Sequence, residues 1–271
     1  MRKLRNTLAA LMLCLTLAGC AAQPMGEGAA FTADILSTGK SDCILLTMDD
    51  LTVLLDTADA DDSKKIAEAL KSRGIERIDC LILSHFDKDH IGSAAWLIGN
   101  YDVGRILAPD YAEDSDEYAA LMDAAAEKDI EVEKLRERVT LTTQHAALIV
   151  DPPDKVYGDD NNNSLLCEIA YGKHRFLFTG DALKKRLNAF LPESAEHYDF
   201  IKLPHHGDDN KALTELLERT TPDYAAETVE NASAVESSLS ETLSRLGTQL
   251  FTTDRGSIRI EASETELSIT Q

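Results

Sequence analysis

The feature that most constrains this chain is a short apolar run that ends in a cluster of potential metal ligands. Ile78-Asp79-Cys80-Leu81-Ile82-Leu83 reads as a buried strand, and Ser84-His85-Phe86-Asp87-Lys88-Asp89-His90 follows at once. Next comes Ile91-Gly92-Ser93-Ala94-Ala95-Trp96-Leu97-Ile98, which can begin a helix. His85, Asp87, Asp89 and His90 therefore share one loop at the C-terminal end of a strand. Two imidazoles and two carboxylates suit a borderline ion such as zinc. A solvated turn would explain the aspartates, because turns collect Asp. It does not explain two histidines interleaved with them behind a buried strand.

Two other strand ends carry residues of the same kind. His174 to Phe178 runs into Thr179-Gly180-Asp181, a Gly-Asp corner that points to Asp181 as a ligand. Phe200-Ile201-Lys202-Leu203-Pro204 runs into His205-His206-Gly207, and paired histidines before Gly are unusual for a structural loop. His205 is the chosen ligand. His206 is the alternative ligand, or a proton donor to a leaving group.

The rest reads as alternating strands and helices. Phe31–Leu36, Cys43–Met48 and Leu51–Asp56 form an opening meander, with Asp49-Asp50 at a hairpin. Asp62 or Ser63 caps a helix that runs to Arg73 and is ended by Gly74. Asp114 and Glu117 form a capping-box-like start to a helix through Glu127, with Tyr111, Tyr118 and Met122 read as core. Further strands are expected at Val103–Leu107, Val139–Leu141, Ala147–Val150, Leu165–Tyr171 and Tyr224–Val229. Further helices are expected around Leu183–Phe190, Leu213–Leu217 and Leu239–Leu246, and terminal strands around Ile258–Ile260 and Leu267–Ile269. Lys184-Lys185-Arg186 reads as the solvated side of its helix, with some capacity to attract an anion. Asp159-Asp160-Asn161-Asn162-Asn163-Ser164 reads as a polar turn. His145, His174 and His197 lack companions and are assigned to surface or core.

Charge bounds the partners. The chain has 48 acidic against 27 basic residues, a net charge of −21. Such an excess argues against gripping DNA through a broad basic face. It does not exclude a small phosphate ester, because bound cations reverse the local field. Cys43, Cys80 and Cys167 lie in or beside apolar runs and read as buried thiols rather than a disulfide framework. At the N-terminus, Arg2, Lys3 and Arg5 precede the apolar stretch Leu8–Leu17, too short for an ordinary membrane span. It ends Leu17-Ala18-Gly19-Cys20, which resembles a bacterial lipoprotein signal. That resemblance implies cleavage before Cys20, lipid on its thiol and an extracytoplasmic, membrane-tethered protein. The domain plan is then 1–19 signal, 20–30 tether and 31–271 folded domain.

The three motifs together resemble the metallo-β-lactamase superfamily. Ser84–His90 is similar to its His-x-His-x-Asp-His, with Asp87 replacing the second His. That replacement, Asn161–Ser164 and Lys202-Leu203-Pro204-His205-His206-Gly207 resemble the hydrolase domain of bacterial DNA-uptake (competence) proteins. Two departures stand out: Asp208 replaces the usual Ser, and Asn231–Ser238 has no His-Pro pair. The resemblance implies an α/β fold, a four-layer αββα sandwich. It also implies two divalent ions, zinc or manganese, bridged by Asp181. His85 and Asp87 would hold one ion, and Asp89, His90 and His205 the other. With no His in the Asn loop, the His85/Asp87 side is expected to be the looser and more oxygen-rich. Asp56 resembles an element that buttresses the metal loop. Asn163, Ser164 and Lys202 are candidates for substrate contact or support.

The function that follows is a metal-dependent hydrolase with Asp89 and His206 as candidate catalytic residues. The substrate would be a small molecule or a phosphodiester. Lactone, thioester or β-lactam hydrolysis is the enzymatic alternative. A surface lipoprotein with a vestigial metal site is the alternative of another class.

Overall fold

A computed structural model describes residues 31–208 and 210–271. The expected signal segment, tether and lipidation site Cys20 lie outside them. The chain opens with an antiparallel meander, β1 (Phe31–Ile35), β2 (Ile44–Met48) and β3 (Leu51–Leu55). It continues through α1 (Ser63–Ser72), β4 (Arg77–Ile78), β5 (Cys80–Ile82), α2 (Lys88–Ile91), α3 (Ala94–Asn100), β6 (Asp102–Val103) and β7 (Ile106–Pro109). Helix α4 (Asp116–Glu127) and β8 (Val132–Leu135) complete the first half. The second half begins with β9 (Val139–Thr142), β10 (Ala146–Asp151), β11 (Leu166–Tyr171) and β12 (His174–Phe178). It then alternates through α5 (Lys184–Phe190), β13 (Phe200–Lys202), α6 (Lys211–Thr220), β14 (Tyr224–Glu227), α7 (Ser237–Leu246) and β15 (Gln249–Thr252). Two last strands, β16 (Ile258–Ala262) and β17 (Leu267–Thr270), cross back to the first sheet.

The strands form an eight-stranded sheet, β17-β16-β1-β2-β3-β5-β7-β8, and a seven-stranded sheet, β15-β14-β13-β12-β11-β10-β9. One side of each is an antiparallel meander. The other side is parallel: β3, β5, β7 and β8 in the first sheet, β12 to β15 in the second. Parallel neighbours require crossovers, and the helices provide them on the outer faces. Alternation along β2 shows the layering. Ile44, Leu46 and Met48 enter the core between the sheets, while Cys43 and Leu45 pack under the helices of the first half. A third cluster, including Leu177, Ile201, Leu213 and Leu239, lies under α5–α7. The result is the expected helix–sheet–sheet–helix sandwich.

Three local expectations change. Helix α4 is capped by Ser115, whose hydroxyl accepts from Tyr118 N at 3.2 Å, one residue beyond Asp114. Strand β8 had no assignment in the sequence, because Glu133 and Lys134 interrupt its short apolar pattern. Arg186 is buried rather than solvated; it donates to Ser164 O at 2.9 Å and to Asp151 Oδ2 at 2.7 Å. The side chain thereby pins the Asn loop to α5.

Parallel strands that end together create a crevice at their C-terminal edge. Asp56 follows β3, His85 follows β5, Asp181 follows β12, His206 follows β13 and Thr228 follows β14. Five strand ends from two sheets thus converge on one place.

Candidate metal centre

Helix α2 begins inside the His-Asp loop, with Asp87 at its N-cap. His85 and Asp87 therefore precede the helix, whereas Asp89 and His90 ride on its first turn. Asp56 fixes this loop from behind. Its backbone is left-handed (φ 58) and its side chain is buried. It accepts from Ser84 N at 2.7 Å, Ser84 Oγ at 2.7 Å and His90 Nδ1 at 2.8 Å. Ser84 Oγ also lies 3.0 Å from His85 Nδ1. Both ring Nδ1 atoms are thus anchored, and each Nε2 faces the centre. Thr57 N binds His90 O at 2.7 Å, closing the loop against β3. Ala58, two residues after Asp56, is left-handed as well (φ 52), so the chain turns sharply behind the loop.

His206 reaches the same point from the second sheet. Its Nδ1 lies 3.2 Å from Thr228 O, leaving Nε2 toward the centre. That Nε2 is 3.3 Å from Asp181 Oδ2 and 3.4 Å from Asp89 Oδ2. His90 Nε2 is 3.4 Å from Asp181 Oδ2. Asp89, His90, Asp181 and His206 form one candidate ligand group. Bonds of about 2.0–2.1 Å to tetrahedral corners put ligand atoms roughly 3.3–3.4 Å apart. The observed spacings match that edge. The Nε2 atoms of His85, His90 and His206 are all buried without a hydrogen-bond partner, as metal ligands would be. The donor set fits a divalent cation.

Electrostatics agree. Burial alone would push the His206 imidazole down, but Asp181 and Asp89 raise it to about 10. Burial likewise opposes charge on His90, and Asp181 and Asp56 outweigh it, holding it well above the usual range. Asp89 is pulled to about 2 against its burial by His206 and His90. The pocket favours positive charge.

His205 does not join this group. Its Nδ1 lies 2.7 Å from Asp208 Oδ2, and its backbone N donates to Asp181 Oδ1 at 3.2 Å. The expectation that chose His205 over His206 gives way to this geometry. Both residues are left-handed (φ 50 and 55), so the chain turns sharply and presents the second ring to the centre. His206 is accordingly a ligand candidate rather than a free proton donor.

Lys202 is no substrate contact. It is wholly buried, and its Nζ lies 2.6 Å from Asp42 Oδ2. Asp42 Oδ1 accepts from Thr228 Oγ1 at 2.6 Å, and Thr228 Oγ1 is 3.3 Å from His206 Nδ1. Asp42 N also donates to Asp89 O at 3.1 Å. Burial drives the neighbouring Glu227 well above the carboxylate range despite Lys202. Asp42, Thr228 and Glu227 carried no signal in sequence. Lys202 did: it is a lysine inside the apolar run Phe200–Leu203.

The Asn loop also supports rather than touches. Asn163 Oδ1 accepts from Tyr157 N at 2.7 Å, and its Nδ2 donates to Asp159 O at 3.1 Å. Ser164 Oγ accepts from Asp181 N at 3.3 Å and so helps set that corner. Asp87 stays half-exposed, with Oδ2 3.4 Å from His85 Nε2. Segment 231–238 passes the histidine turn: a Cβ on Gly207 would sit 3.4 Å from Val235 Cα. It brings no histidine there.

Comparison with known proteins follows this geometry. The model of the metallo-beta-lactamase superfamily matches residues 36–226. ComE operon protein 3 of Bacillus subtilis is 30% identical over 171 residues, which are 60% of this chain and 21% of that protein. Recombination protein 2 of Haemophilus influenzae is 26% identical over 197 residues, 71% of this chain and 23% of that protein. The chain thus matches under a quarter of each of these relatives. The metallo-beta-lactamase fold protein YhfI from Bacillus subtilis superposes with a TM-score of 0.60 at 14% identity, over 87% of this chain and all of that one. Among the described residues, no helix is long and apolar enough to cross a membrane.

Proposed function

The chain belongs to the metallo-beta-lactamase superfamily, and from that premise we propose that it is a metal-dependent hydrolase of phosphodiester or related ester bonds. One observation carries this reading. Asp89, His90, Asp181 and His206 converge from both sheets at ligand spacing, with buried imidazole nitrogens that nothing else engages.

Asp89, His90, Asp181 and His206 would hold one ion, and His85 with Asp87 a second. Divalent ions bound there supply Lewis acidity toward an ester oxygen and acidify water from a pKa of 15.7 to about 7. The chain's own residues set the rest. Asp56 and Thr228 orient His90 and His206 so that Nε2 faces the centre. Ser164 and His205 engage Asp181 through hydrogen bonds to its N and Oδ1. Asp89 and Asp87 stay partly open to solvent, so the ester approaches from their side.

The phosphodiester choice rests on similarity to the competence-type relatives. The same reading places the enzyme outside the cytoplasmic membrane, tethered by lipid on Cys20, on the sequence of residues 1–20. The bond is tested with bis-p-nitrophenyl phosphate, a lactone and nitrocefin, each with zinc or manganese. We expect turnover of the phosphodiester and its loss in Asp89→Ala. Turnover of the lactone or nitrocefin alone would overturn the phosphodiester assignment, and inertness toward all three with both metals would overturn the hydrolase reading.

A further inference from the structure

Along the edge of the first sheet that carries the metal loop lies a pocket of about 220 Å³. The strand order β3-β5-β7-β8 sets the ends of β7 and β8 beside the end of β5, which leads into His85. Strands stand about 4.8 Å apart, so the pocket floor lies roughly 5–10 Å to the side of that loop. Pro109, which ends β7, and Leu135, which ends β8, both line it. Tyr111 is the wall toward the metal loop. Its Oη accepts from Phe86 N at 3.0 Å, between His85 and Asp87 in the chain, and its ring is backed by Phe86 with centroids 4.7 Å apart. Pro153 and Val156, from the connection between β10 and β11, form the wall contributed by the second sheet. Asn163 clasps that segment: its Oδ1 accepts from Tyr157 N at 2.7 Å and its Nδ2 donates to Tyr157 O at 3.2 Å. Val156 is 56% exposed, the one large apolar side chain so exposed among the described residues. A single exposed valine is ordinary on a surface. This one stands at the rim of a pocket whose other walls are apolar.

We propose that this pocket binds a neutral aromatic ring, the part of the ester that does not leave, and so sets substrate preference. The ester rests on the hydrolase reading above; the ring rests on the pocket. Size selects one ring. A cavity of about 150 Å³ holds benzene, and drug-sized ligands take about 300–1,000 Å³. Shape selects a flat group, because tyrosine and two prolines offer flat, stiff walls. Charge selects a neutral one. Asp110 and Asp154 balance Arg136 and Lys155 in the lining, within a chain of net charge −21. A neutral ring therefore enters without repulsion, while the anionic part of the ester belongs at the metal loop. Binding energy gained by a ring beside Tyr111 would position the ester for reaction. An aryl group and a nucleobase share this chemistry.

Two measurements test it. The first needs neither metal nor turnover: methyl NMR of Val156 in the metal-free protein, titrated with 4-nitrobenzyl alcohol or adenosine. Saturable shifts are expected with at least one of them, and their loss in Val156→Asp. A response to adenosine assigns the pocket to a nucleobase, and a response to the alcohol alone assigns it to an aryl group. The second compares bis-p-nitrophenyl phosphate with methyl p-nitrophenyl phosphate, which release the same nitrophenolate. The bis ester should have a KM at least about tenfold lower, and Val156→Asp should erase that gap. Val156 is exposed, so the variant should melt within about 2 °C of the parent. No shift with either ring, shifts that persist in Val156→Asp, or equal KM values in the parent would overturn the pocket while leaving the hydrolase reading intact. Ring binding without turnover of any ester would overturn the hydrolase reading and with it the substrate role.

Discussion

Single side chains decide which metal half is strong. His206 faces Asp89 and Asp181, while its neighbour His205 turns toward Asp208. Replacing each by Ala therefore separates their roles. His206→Ala should lose the ion held by Asp89, His90 and Asp181 and lower ester turnover by at least about a hundredfold, more than loss of an outer partner costs. His205→Ala should keep that ion and cost less than about tenfold. Metal content by mass spectrometry beside kcat/KM reads both, and equal losses would contradict the assignment. The order of these two histidines was not legible in sequence, because adjacent left-handed residues reverse the usual alternation of side chains. The pair itself stood out in sequence behind an apolar run, as did Asp89, His90 and Asp181, the residues that the fold brings together with His206.

Strands and loops hold these side chains through buried charge. Asp42 stands before β2 in the first sheet, Lys202 ends β13 in the second, and their 2.6 Å contact ties the sheets together beneath the centre. Both groups are fully buried, so removing one strands the other. Lys202→Met is expected to destabilise the fold by about 3–5 kcal/mol. Adding Asp42→Asn should recover part of that loss, because the uncompensated carboxylate is gone. Urea denaturation of both variants checks this, and a loss under about 1 kcal/mol in the single variant would show the pair to be energetically idle. A second tie runs from the β2–β3 turn to the β9–β10 turn, where Asp49 Oδ1 meets His145 Nδ1 at 2.7 Å. Burial resists charge on Asp49, but Thr143 and His145 prevail and hold it down at about 2, against an ordinary 3.8. Its contribution to stability is therefore complete above about pH 4 and lost as the pH falls toward 2. Asp49→Asn should be less stable than the parent at pH 6 and converge with it near pH 2; a constant difference would contradict the linkage. Most elements were legible from periodicity. Strand β8 was not, because it is a short, half-buried edge whose charged residues hide the pattern.

The whole molecule carries its chemistry against its own field. With 48 acidic and 27 basic residues it repels polyanions at long range, and cations held in the crevice would reverse that sign locally. Cleavage of an oligonucleotide should therefore quicken as salt rises from about 20 to 200 mM, because screening weakens the repulsion. Proteins that grip DNA through basic faces behave in the opposite way. A neutral or singly charged ester should show little salt dependence. An oligonucleotide rate that falls with salt would reveal a basic path that the charge balance does not show. The four layers were legible only through the family resemblance that the three strand-end motifs carry; the α/β alternation by itself shows strands and helices but not their stacking. The buried struts among Asp42, Lys202, Glu227 and Thr228 depend on how the two sheets face each other, which no local pattern encodes. The central claim is that strand ends from both sheets together hold cations, and bound metal per chain tests it most directly. After equilibration with excess zinc and manganese and removal of free ions, the protein should retain close to two ions and Asp181→Ala no more than one. A wild-type protein that retains none, or an Asp181→Ala variant that retains both, would contradict it.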